Sequence, residues 1–475
     1  MKTQSNHLII VVWSMVALYI LVFGLVTSFR HYNFHTQAWD MGIFDQVFWN
    51  TAQGNIMSSS IEEIPNHLGI HFSPWLFALA PVYALFKSPY FLLIAQTIAL
   101  AVGAIPLYLL ARKILKSNTW ASVVAFGYLL YPSLHWINIF DFHSVSFLVP
   151  LLLCAFYFFK IEKYALSALF FTLSASTRED AIIVVLFSGL YILLSGKLEL
   201  EPDTYKRVRK FALLIIAASI VYLLVVIQII MPALGGGLVR LDRYENLGGS
   251  ISEILINAVT EPTLIVETIF TVPKALYVIW LFIPVLFVSF FSGRALVLLI
   301  PGLAENLLTA FSPQFSGLYQ YDSVLVAAIF ISTIYGIKHI IHRKASLQKS
   351  LMYGVFAAII FGFLARSPIS PLHFPFYIFK SGEREASMRK MVISVPKEAI
   401  VSAHTNLVPH LSNRTYIYTL GTEPTPADIL LVDGGDPFGF DSVESFRSYI
   451  SSYTESGNYN VEFIDDKRAV IKRKK

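Results

Sequence analysis

Two aspartates stand out in a chain that is otherwise mostly apolar. Asp40 and Asp45 lie in the run Trp-Asp-Met-Gly-Ile-Phe-Asp-Gln, just after the first long apolar segment. A carboxylate at such a position can take a proton from an acceptor hydroxyl, or hold a divalent cation such as Mg²⁺ or Mn²⁺ against a phosphate. Asp40 also precedes a predicted short helix over residues 41–51, and it could simply cap that helix. Asp45 lies about 140° farther around the helix, so it does not pair with Asp40 and is also compatible with a hydrogen-bonded surface residue.

Two further polar groups follow apolar segments of the chain. Asp141 and His143 are separated by one residue, and they could form a simple loop or contribute substrate contacts and metal ligands. Arg178, Glu179 and Asp180 are consecutive, and the planar guanidinium of the arginine suits a phosphate group, which it grips through paired hydrogen bonds. Alternatively, these three charges neutralise one another at the tip of a helical hairpin.

Two histidines, an arginine and a tyrosine are further candidates. His67 and His71 would share one face of a helix and could bind zinc, although two structural histidines explain them as well. Arg240 lies in a long loop over residues 232–273, which either covers a substrate or is a tolerated insertion. Tyr321 stands at the end of an apolar segment, where it is either a platform for a sugar or part of an aromatic belt at the membrane surface.

The composition indicates a membrane protein. The chain is 55% hydrophobic and only 14% charged, which excludes an ordinary soluble protein. Its single cysteine, Cys154, excludes an intramolecular disulfide. The net charge of +5 is modest and the basic residues concentrate in a few loops, so we expect no nucleic-acid partner.

Apolar segments of bilayer-crossing length recur through most of the chain. They predict about 11 transmembrane helices, at residues 8–29, 90–111, 119–139, 144–159, 164–176, 181–194, 211–231, 274–291, 295–311, 324–341 and 351–365. Residues 72–86 are apolar but short, and they predict a helix at the membrane surface or a re-entrant helix. The basic loops then fall on the side of the N-terminus, which predicts a cytoplasmic N-terminus in the cell membrane and acidic loops that face outward.

The composition changes near the C-terminus, where a small soluble domain is predicted. We expect a multi-span membrane domain over residues 1–366, with an outer-face loop at 30–89, and an extracytoplasmic α/β domain over residues 367–475. Within that domain a helix is predicted at 397–411, and short strands are predicted at 392–395, 416–419, 429–432, 461–464 and 469–471. The predicted fold class is therefore an all-α polytopic membrane protein with a small α/β C-terminal domain.

Several runs in the chain resemble a known family. Trp-Asp-Met-Gly-Ile-Phe-Asp-Gln at 39–46, His-Phe-Ser-Pro at 71–74, Asp-Phe-His at 141–143 and Arg-Glu-Asp at 178–180 resemble the membrane family catalogued as domain of unknown function twenty seventy-nine. More distantly, the layout is similar to that of the GT-C superfamily, whose members transfer sugars from polyprenyl-phosphate or polyprenyl-pyrophosphate donors. By that resemblance Asp40 matches the catalytic carboxylate of the first outer loop, and Asp141 matches the acidic position of the second.

The resemblance implies a membrane-embedded glycosyltransferase that uses a lipid-linked sugar donor at the outer face. We predict Asp40 as the catalytic residue, with Asp40, Asp141 and His143 as candidate metal ligands. Substrate contacts are predicted at Asp45, His71, Asp141, His143, Arg178, Glu179, Asp180, Arg240 and Tyr321. A transporter or lipid flippase is the alternative, although charges gathered at one face without an internal repeat count against it. A non-catalytic receptor or assembly protein is the third hypothesis.

Overall fold

The computed structural model describes residues 2–199 and 202–474, with side chains for 8–195 and 203–474. The described chain is mostly helical and divides into two compact units. The first unit contains the N-terminal residues as far as Gly24, together with Ile70–Trp75 and Gln96–Pro375. The second unit contains Leu25–Gly69, Leu76–Ala95 and the residues from Phe376 onward. The C-terminal segment thus forms one unit with residues of the predicted outer-face loop.

Both units contain α-helices. They are α1 Lys2–Tyr32, α2 Ile43–Ala52, α3 His67–Ile70, α4 Leu76–Phe86, α5 Pro89–Val102, α6 Ala104–Leu115, α7 Asn118–Leu129, α8 Pro132–Ile139, α9 Leu148–Lys160, α10 Tyr164–Ala175, α11 Ala181–Glu199, α12 Pro202–Val225, α13 Met231–Ala233, α14 Ile251–Thr260, α15 Pro262–Ile269, α16 Val272–Phe282, α17 Ile300–Leu308, α18 Ser323–Arg343, α19 Gln348–Arg366, α20 Glu383–Ile393 and α21 Val443–Thr454.

Several helical stretches of the described chain are long and apolar enough to cross a membrane. Five satisfy this test, namely Leu8–Tyr32, Pro89–Leu115, Asp203–Ala233, Gln320–Arg343 and Ala345–Arg366. A sixth is added if α15 and the helical stretch Val272–Val285, bent by 63°, count as one broken span. Multiple membrane spans are therefore confirmed, whereas the predicted count of about 11 is not confirmed by helix length.

Prolines explain why some predicted spans are shorter helices. Pro132 separates α7 from α8 within the predicted span 119–139, because proline lacks the N–H that would continue the first helix. After α16 the chain winds through 3₁₀ turns as far as Leu299, with Pro284 in the first turn and left-handed backbone at Leu286 and Phe287. The predicted spans 274–291 and 295–311 are therefore broken.

α18 lies at the centre of the first unit. Its residues from Ser323 to Ile334 are all buried, as expected for a helix that is apolar on every side. Glycine is required near its end, since a Cβ on Gly336 would lie 2.1 Å from the carbonyl oxygen of Val288. The 3₁₀ turn Val288–Phe291 can therefore pack directly against the α18 backbone.

A five-stranded mixed sheet forms the C-terminal part of the second unit. Its strands are β1 Val401–Ala403, β2 Ile417–Thr419, β3 Ile429–Asp433, β4 Tyr459–Phe463 and β5 Arg468–Arg473, in the order β2-β1-β3-β5-β4. β1 pairs in parallel with β2 and β3, and β5 runs antiparallel to β3 and β4. The predicted strands at 416–419, 429–432, 461–464 and 469–471 are confirmed within a few residues.

Two predicted elements of this segment are wrong. Residues 392–395 were expected as a strand, but Val392 and Ile393 complete the helix α20. This β-branched run follows Glu-Arg-Glu-Ala-Ser-Met-Arg-Lys, whose helix formers continue the helix through it. Residues 397–411 were expected as a helix, but they contain β1 and the 3₁₀ turn Val408–His410.

The free edge of β2 is covered by the loop after α2. The hydroxyl of Ser60 donates to the carbonyl of Ile417 at 2.8 Å and accepts from its backbone N–H at 2.9 Å. Nε2 of Gln46 donates to the carbonyls of Arg414 and Thr415 at 3.2 and 3.1 Å. An outer strand that would otherwise present unpaired backbone groups is thereby capped.

Candidate functional site

Three consecutive charges lie in the turn between α10 and α11. α10 ends at Ala175 and α11 begins at Ala181, so the chain reverses within a few residues. The backbone N–H of Trp75 donates to the carbonyl of Ser176 at 2.9 Å and fixes the start of the turn. The prediction of two helices with Arg178 between them is confirmed.

Arg178 is held by two carboxylates. Only 10% of its side chain is exposed. Its Nε donates to both carboxylate oxygens of Asp180 at 2.8 Å, while Nη2 donates to Asp180 and, at 3.2 Å, to Oε1 of Glu305 on α17. Among the described residues nothing accepts a hydrogen bond from Nη1. The guanidinium is therefore oriented by protein groups and keeps one nitrogen for a ligand.

The two carboxylates around Arg178 differ in how readily they ionise. Burial opposes ionisation of Asp180, but the charge and hydrogen bonds of Arg178 outweigh it and lower the pKa of Asp180. Burial, together with the charge of Asp180, raises the pKa of Glu305 well above its ordinary value. Of the two carboxyl groups, Asp180 therefore ionises more readily and Glu305 keeps its proton more readily.

His71 joins this group through Glu179. Nδ1 of His71 lies 2.9 Å from Oε1 of Glu179, and Oε2 of Glu179 accepts a hydrogen bond from the backbone N–H of Phe72 at 3.0 Å. Both oxygens of Glu179 are thus engaged by the segment that precedes α4. We refer to Arg178, Glu179, Asp180, Glu305 and His71 as the Arg178 cluster.

The predicted long loop over residues 232–273 contains α14 and α15, and its part between α13 and α14 packs against α17, which carries Glu305. The hydroxyl of Tyr244 donates to the backbone carbonyl of Glu305 at 3.0 Å, and Nε2 of Gln314 donates to the same carbonyl at 3.1 Å. The guanidinium of Arg243 lies 4.5 Å from the ring centroid of Phe311. This part of the loop is therefore packed against the region that carries Glu305, which argues against a mere tolerated insertion. Arg240 is half-buried in the same 3₁₀ turn, Val239–Tyr244.

Tyr321 offers no open face for a sugar. The residue is 8% exposed, and the guanidinium of Arg243 lies 5.4 Å from its ring centroid. A further ring, that of Phe311, meets it edge-on at 6.1 Å. Neither a sugar platform nor an exposed aromatic belt describes this buried side chain.

Asp141 and His143 lie in a constrained buried loop. Asp141 has left-handed backbone with a φ of 44°, a conformation that non-glycine residues rarely adopt. The buried side chain of Gln96 donates to the carbonyl of Asp141 at 2.7 Å and accepts from the N–H of His143 at 2.8 Å and the hydroxyl of Ser146 at 2.9 Å. A fully satisfied amide thus holds both candidate residues in place.

Asp40 lies within a helical turn and not at its start. The π-helical turn Ala38–Gly42 contains it, Gln37 is the residue before the turn, and Gly42 precedes α2. The expectation that Asp40 could act as a helix cap is therefore wrong. Turns of this kind are frequent at functional sites. Close packing fixes the turn, since a Cβ on Gly42 would lie 3.0 Å from a methyl group of Val408.

Asp45 is fully buried, so the surface interpretation is wrong. The hydroxyl of Tyr83 donates to its Oδ1 and that of Ser412 to its Oδ2, both at 2.6 Å. Burial raises the pKa of Asp45 to about 6, against the opposing effect of these two hydrogen bonds. With both oxygens engaged inside the protein, Asp45 joins three segments of the second unit and is not placed for a substrate contact.

The predicted zinc and metal ligands do not assemble. α3 covers only His67–Ile70, so His71 lies beyond its end, and Nδ1 of His67 lies 3.0 Å from Glu62. Within the described ranges no group of three or more His, Cys, Asp or Glu side chains is placed to hold a metal ion.

Sequence reasoning missed Glu305 and Gln96. Glu305 lay inside a predicted span, where an ionisable residue is itself a signal of function. Its partner Arg178 is 127 positions away, so the pairing could not be read from local spacing. Gln96 likewise lay within an apolar segment, where a lone amide indicates a buried hydrogen-bond network.

The fold and its spans define a polytopic membrane protein. Residues 30–467 match the family model described as "Predicted membrane protein (DUF2079)". The match covers most of the chain, which therefore belongs to this family. A search of curated proteins finds no match.

Solved structures share the fold. A crystal structure of ArnT from Cupriavidus metallidurans bound to undecaprenyl phosphate is similar with a TM-score of 0.56, and the apo structure of the same protein with 0.54. In each case the identity is 11% and the similarity covers 97% of both chains. The chain therefore has an ArnT-like fold over nearly its whole length.

Proposed function

We propose that this protein is a membrane glycosyltransferase that moves a sugar from a polyprenyl-phosphate-type donor to an acceptor at the outer face. The observation that carries the proposal is Arg178, nearly buried, oriented by Asp180 and Glu305, and with no described partner at Nη1. The fold likeness supports it, because one of the similar ArnT structures is bound to undecaprenyl phosphate. The resemblance of the layout to that of the GT-C superfamily supports it as well.

The proposed reaction forms one glycosidic bond and breaks one bond to phosphate. An acceptor hydroxyl attacks the anomeric carbon of the donor sugar, and the electron pair of the broken bond stays on the polyprenyl phosphate. Arg178 stabilises the negative charge that develops there, which is commonly the largest electrostatic contribution in such a step. Asp40 takes the proton of the acceptor hydroxyl, a role assigned from its likeness to the first-loop carboxylate of GT-C enzymes.

Other members of the Arg178 cluster position this guanidinium. Asp180 supplies its counter-charge, and Glu305 supplies a neutral hydrogen-bonding group, so a bound phosphate meets less repulsion than from two carboxylates. Glu179 and His71 fix the turn that carries the cluster. Asp141, His143 and Arg240 are proposed as further contacts to the substrates, and we propose that the N-terminus is cytoplasmic and the C-terminal segment extracytoplasmic.

Lipids that co-purify with the protein test the proposal. Mass spectrometry should detect a polyprenyl phosphate or its sugar conjugate with wild type, depleted about tenfold in Arg178→Ala, which corresponds to about 1.4 kcal/mol of binding. Arg209→Ala, which removes an exposed arginine elsewhere, is the matched control and should retain the lipid. The same phospholipids in all three preparations, without a polyprenyl species, would overturn the proposal.

A further inference from the structure

A cavity lies at the opposite end of α10 from the Arg178 cluster. Its volume is about 460 Å³, and Tyr164 at the start of α10 lines it. The 12 residues of α10 span about 18 Å by helical rise. Arg178 follows at the far end of that helix, so the cavity is separate from the site proposed above.

Basic and hydroxyl groups line this cavity. Lys160 at the end of α9, Arg294 and His339 supply cationic or protonatable groups, and among the described lining residues Glu162 supplies a carboxylate. The hydroxyl of Ser292 is buried without a hydrogen-bond partner in the described part of the chain. Such a group is costly unless a ligand or water engages it.

The wall beside Ser292 has room for a ligand. Gly293 has left-handed backbone with a φ of 61°, and a Cβ built on it would meet no atom within 4 Å. The lining also includes Tyr191 and Tyr335, whose rings pack against each other with their centroids 5.8 Å apart. The volume falls within the range of about 300–1,000 Å³ that is usual for small-ligand sites.

We propose that this cavity binds a phosphate group, carried by an anionic lipid or free in solution. The guanidinium of Arg294 and the ammonium group of Lys160 can donate hydrogen bonds to phosphate oxygens, and hydroxyl groups add further donors. Basic pockets between transmembrane helices are known to take anionic lipid head groups. Val208 of α12 also lines the cavity, whereas the exposed Leu214 and Val221 lie on a different side of that helix. The two sources of the phosphate group are therefore distinguished by experiment.

Native mass spectrometry of the full-length protein in detergent tests the proposal. The probes are dioleoyl phosphatidic acid, dioleoyl phosphatidylcholine and inorganic phosphate. We expect phosphatidic acid to bind wild type at least about tenfold more tightly than phosphatidylcholine, and Arg294→Gln to lose about tenfold of that affinity, as expected for a charged hydrogen-bonding partner. Arg343→Gln, an exposed arginine at the end of α18 outside the lining, should bind as wild type does.

Each further outcome is decisive. Displacement of the lipid by inorganic phosphate, with the same dependence on Arg294, identifies the phosphate itself as sufficient; no displacement identifies the lipid as the ligand. Equal affinity for the two lipids, or equal binding by wild type and Arg294→Gln, overturns the proposal. If Arg294→Gln does not fold, Lys160→Gln replaces it. The loss caused by Arg294→Gln should be equally large in an Arg178→Ala background, which separates this site from the proposed donor site.

Discussion

Asp45 and Ser412 lie 367 positions apart in the chain and are joined by a hydrogen bond of 2.6 Å. The same carboxylate accepts a hydrogen bond from Tyr83, so we expect residues 45, 83 and 412 to lie on one side of the membrane. On that expectation the chain crosses the membrane an even number of times between any two of them. The predicted topology meets this requirement only if residues 72–86 do not cross, because an additional span there would make the number odd.

Labelling of introduced cysteines tests this parity. In a Cys154→Ala background, exposed residues Asn55 and Glu444 of the second unit and Lys344 after α18 are each replaced by cysteine. A membrane-impermeant maleimide should label Asn55→Cys and Glu444→Cys in intact cells, and Lys344→Cys only after permeabilisation. Labelling of Asn55→Cys and Glu444→Cys from different sides would contradict the hydrogen-bonded network around Asp45.

Asp45 should make stability depend on pH. The pKa of Asp45 is higher in the folded protein, so the folded protein binds the proton more tightly than the unfolded chain does. The stabilisation of the fold by this proton is therefore complete below the ordinary carboxyl pKa and is lost as the pH rises through about 6. A shift of about two pKa units corresponds to about 3 kcal/mol. Between pH 4 and 6.5 wild type should therefore lose roughly 2–3 kcal/mol more unfolding free energy than Asp45→Asn. Parallel curves for the two proteins would show that Asp45 does not titrate as assigned.

The two carboxylates beside Arg178 should respond differently to amide replacement. Glu305→Gln exchanges one neutral group for another that can still donate to Asp180, so we expect a loss of less than about 1 kcal/mol. Asp180→Asn leaves the nearly buried Arg178 without its counter-charge and should cost about 3–5 kcal/mol. Denaturant unfolding of both variants measures the difference. Equal losses would mean that the proton is not on Glu305.

Asp40→Asn separates catalysis from donor binding. Loss of the proton acceptor should reduce transfer at least about 100-fold, while the co-purifying lipid stays as in wild type. Asp242→Asn, which removes an exposed acid of the long loop, is the matched control and should remain active. Transfer by Asp40→Asn at the wild-type rate would remove Asp40 from the mechanism.

The backbone at Asp141 allows a prediction that is independent of its side chain. Asp141→Ala and Asp141→Gly both remove the carboxylate, but only glycine adopts a φ of 44° without steric cost. The glycine variant should therefore be more stable than the alanine variant by about 1 kcal/mol, measured as a difference in unfolding free energy. An alanine variant as stable as the glycine variant would show that the loop relaxes.

Hydrophobic periodicity and turn residues in the sequence predicted several individual helices and strands. The strand β3 follows from an apolar run with turn residues on both sides, and the pair α10 and α11 follows from apolar segments interrupted by Arg178. Residues 392–395 show the limit of this reasoning, because a preceding helix overrode their β propensity. Pairings between distant residues, such as Arg178 with Glu305, depend on the tertiary fold and leave no local signal. Local patterns therefore located the turn that carries Arg178, but they did not reveal its partner Glu305.

The cap that Ser60 places on Ile417 has a consequence for the synthesis of the chain. The two residues are 357 positions apart, and a ribosome that adds 5–20 residues per second needs roughly 20–70 s to get from one to the other. Nearly all the spans are synthesised before β2, the strand with which the loop containing Ser60 pairs. During that interval it has polar groups without their final partners, which makes it a natural target for chaperones and proteases at the membrane.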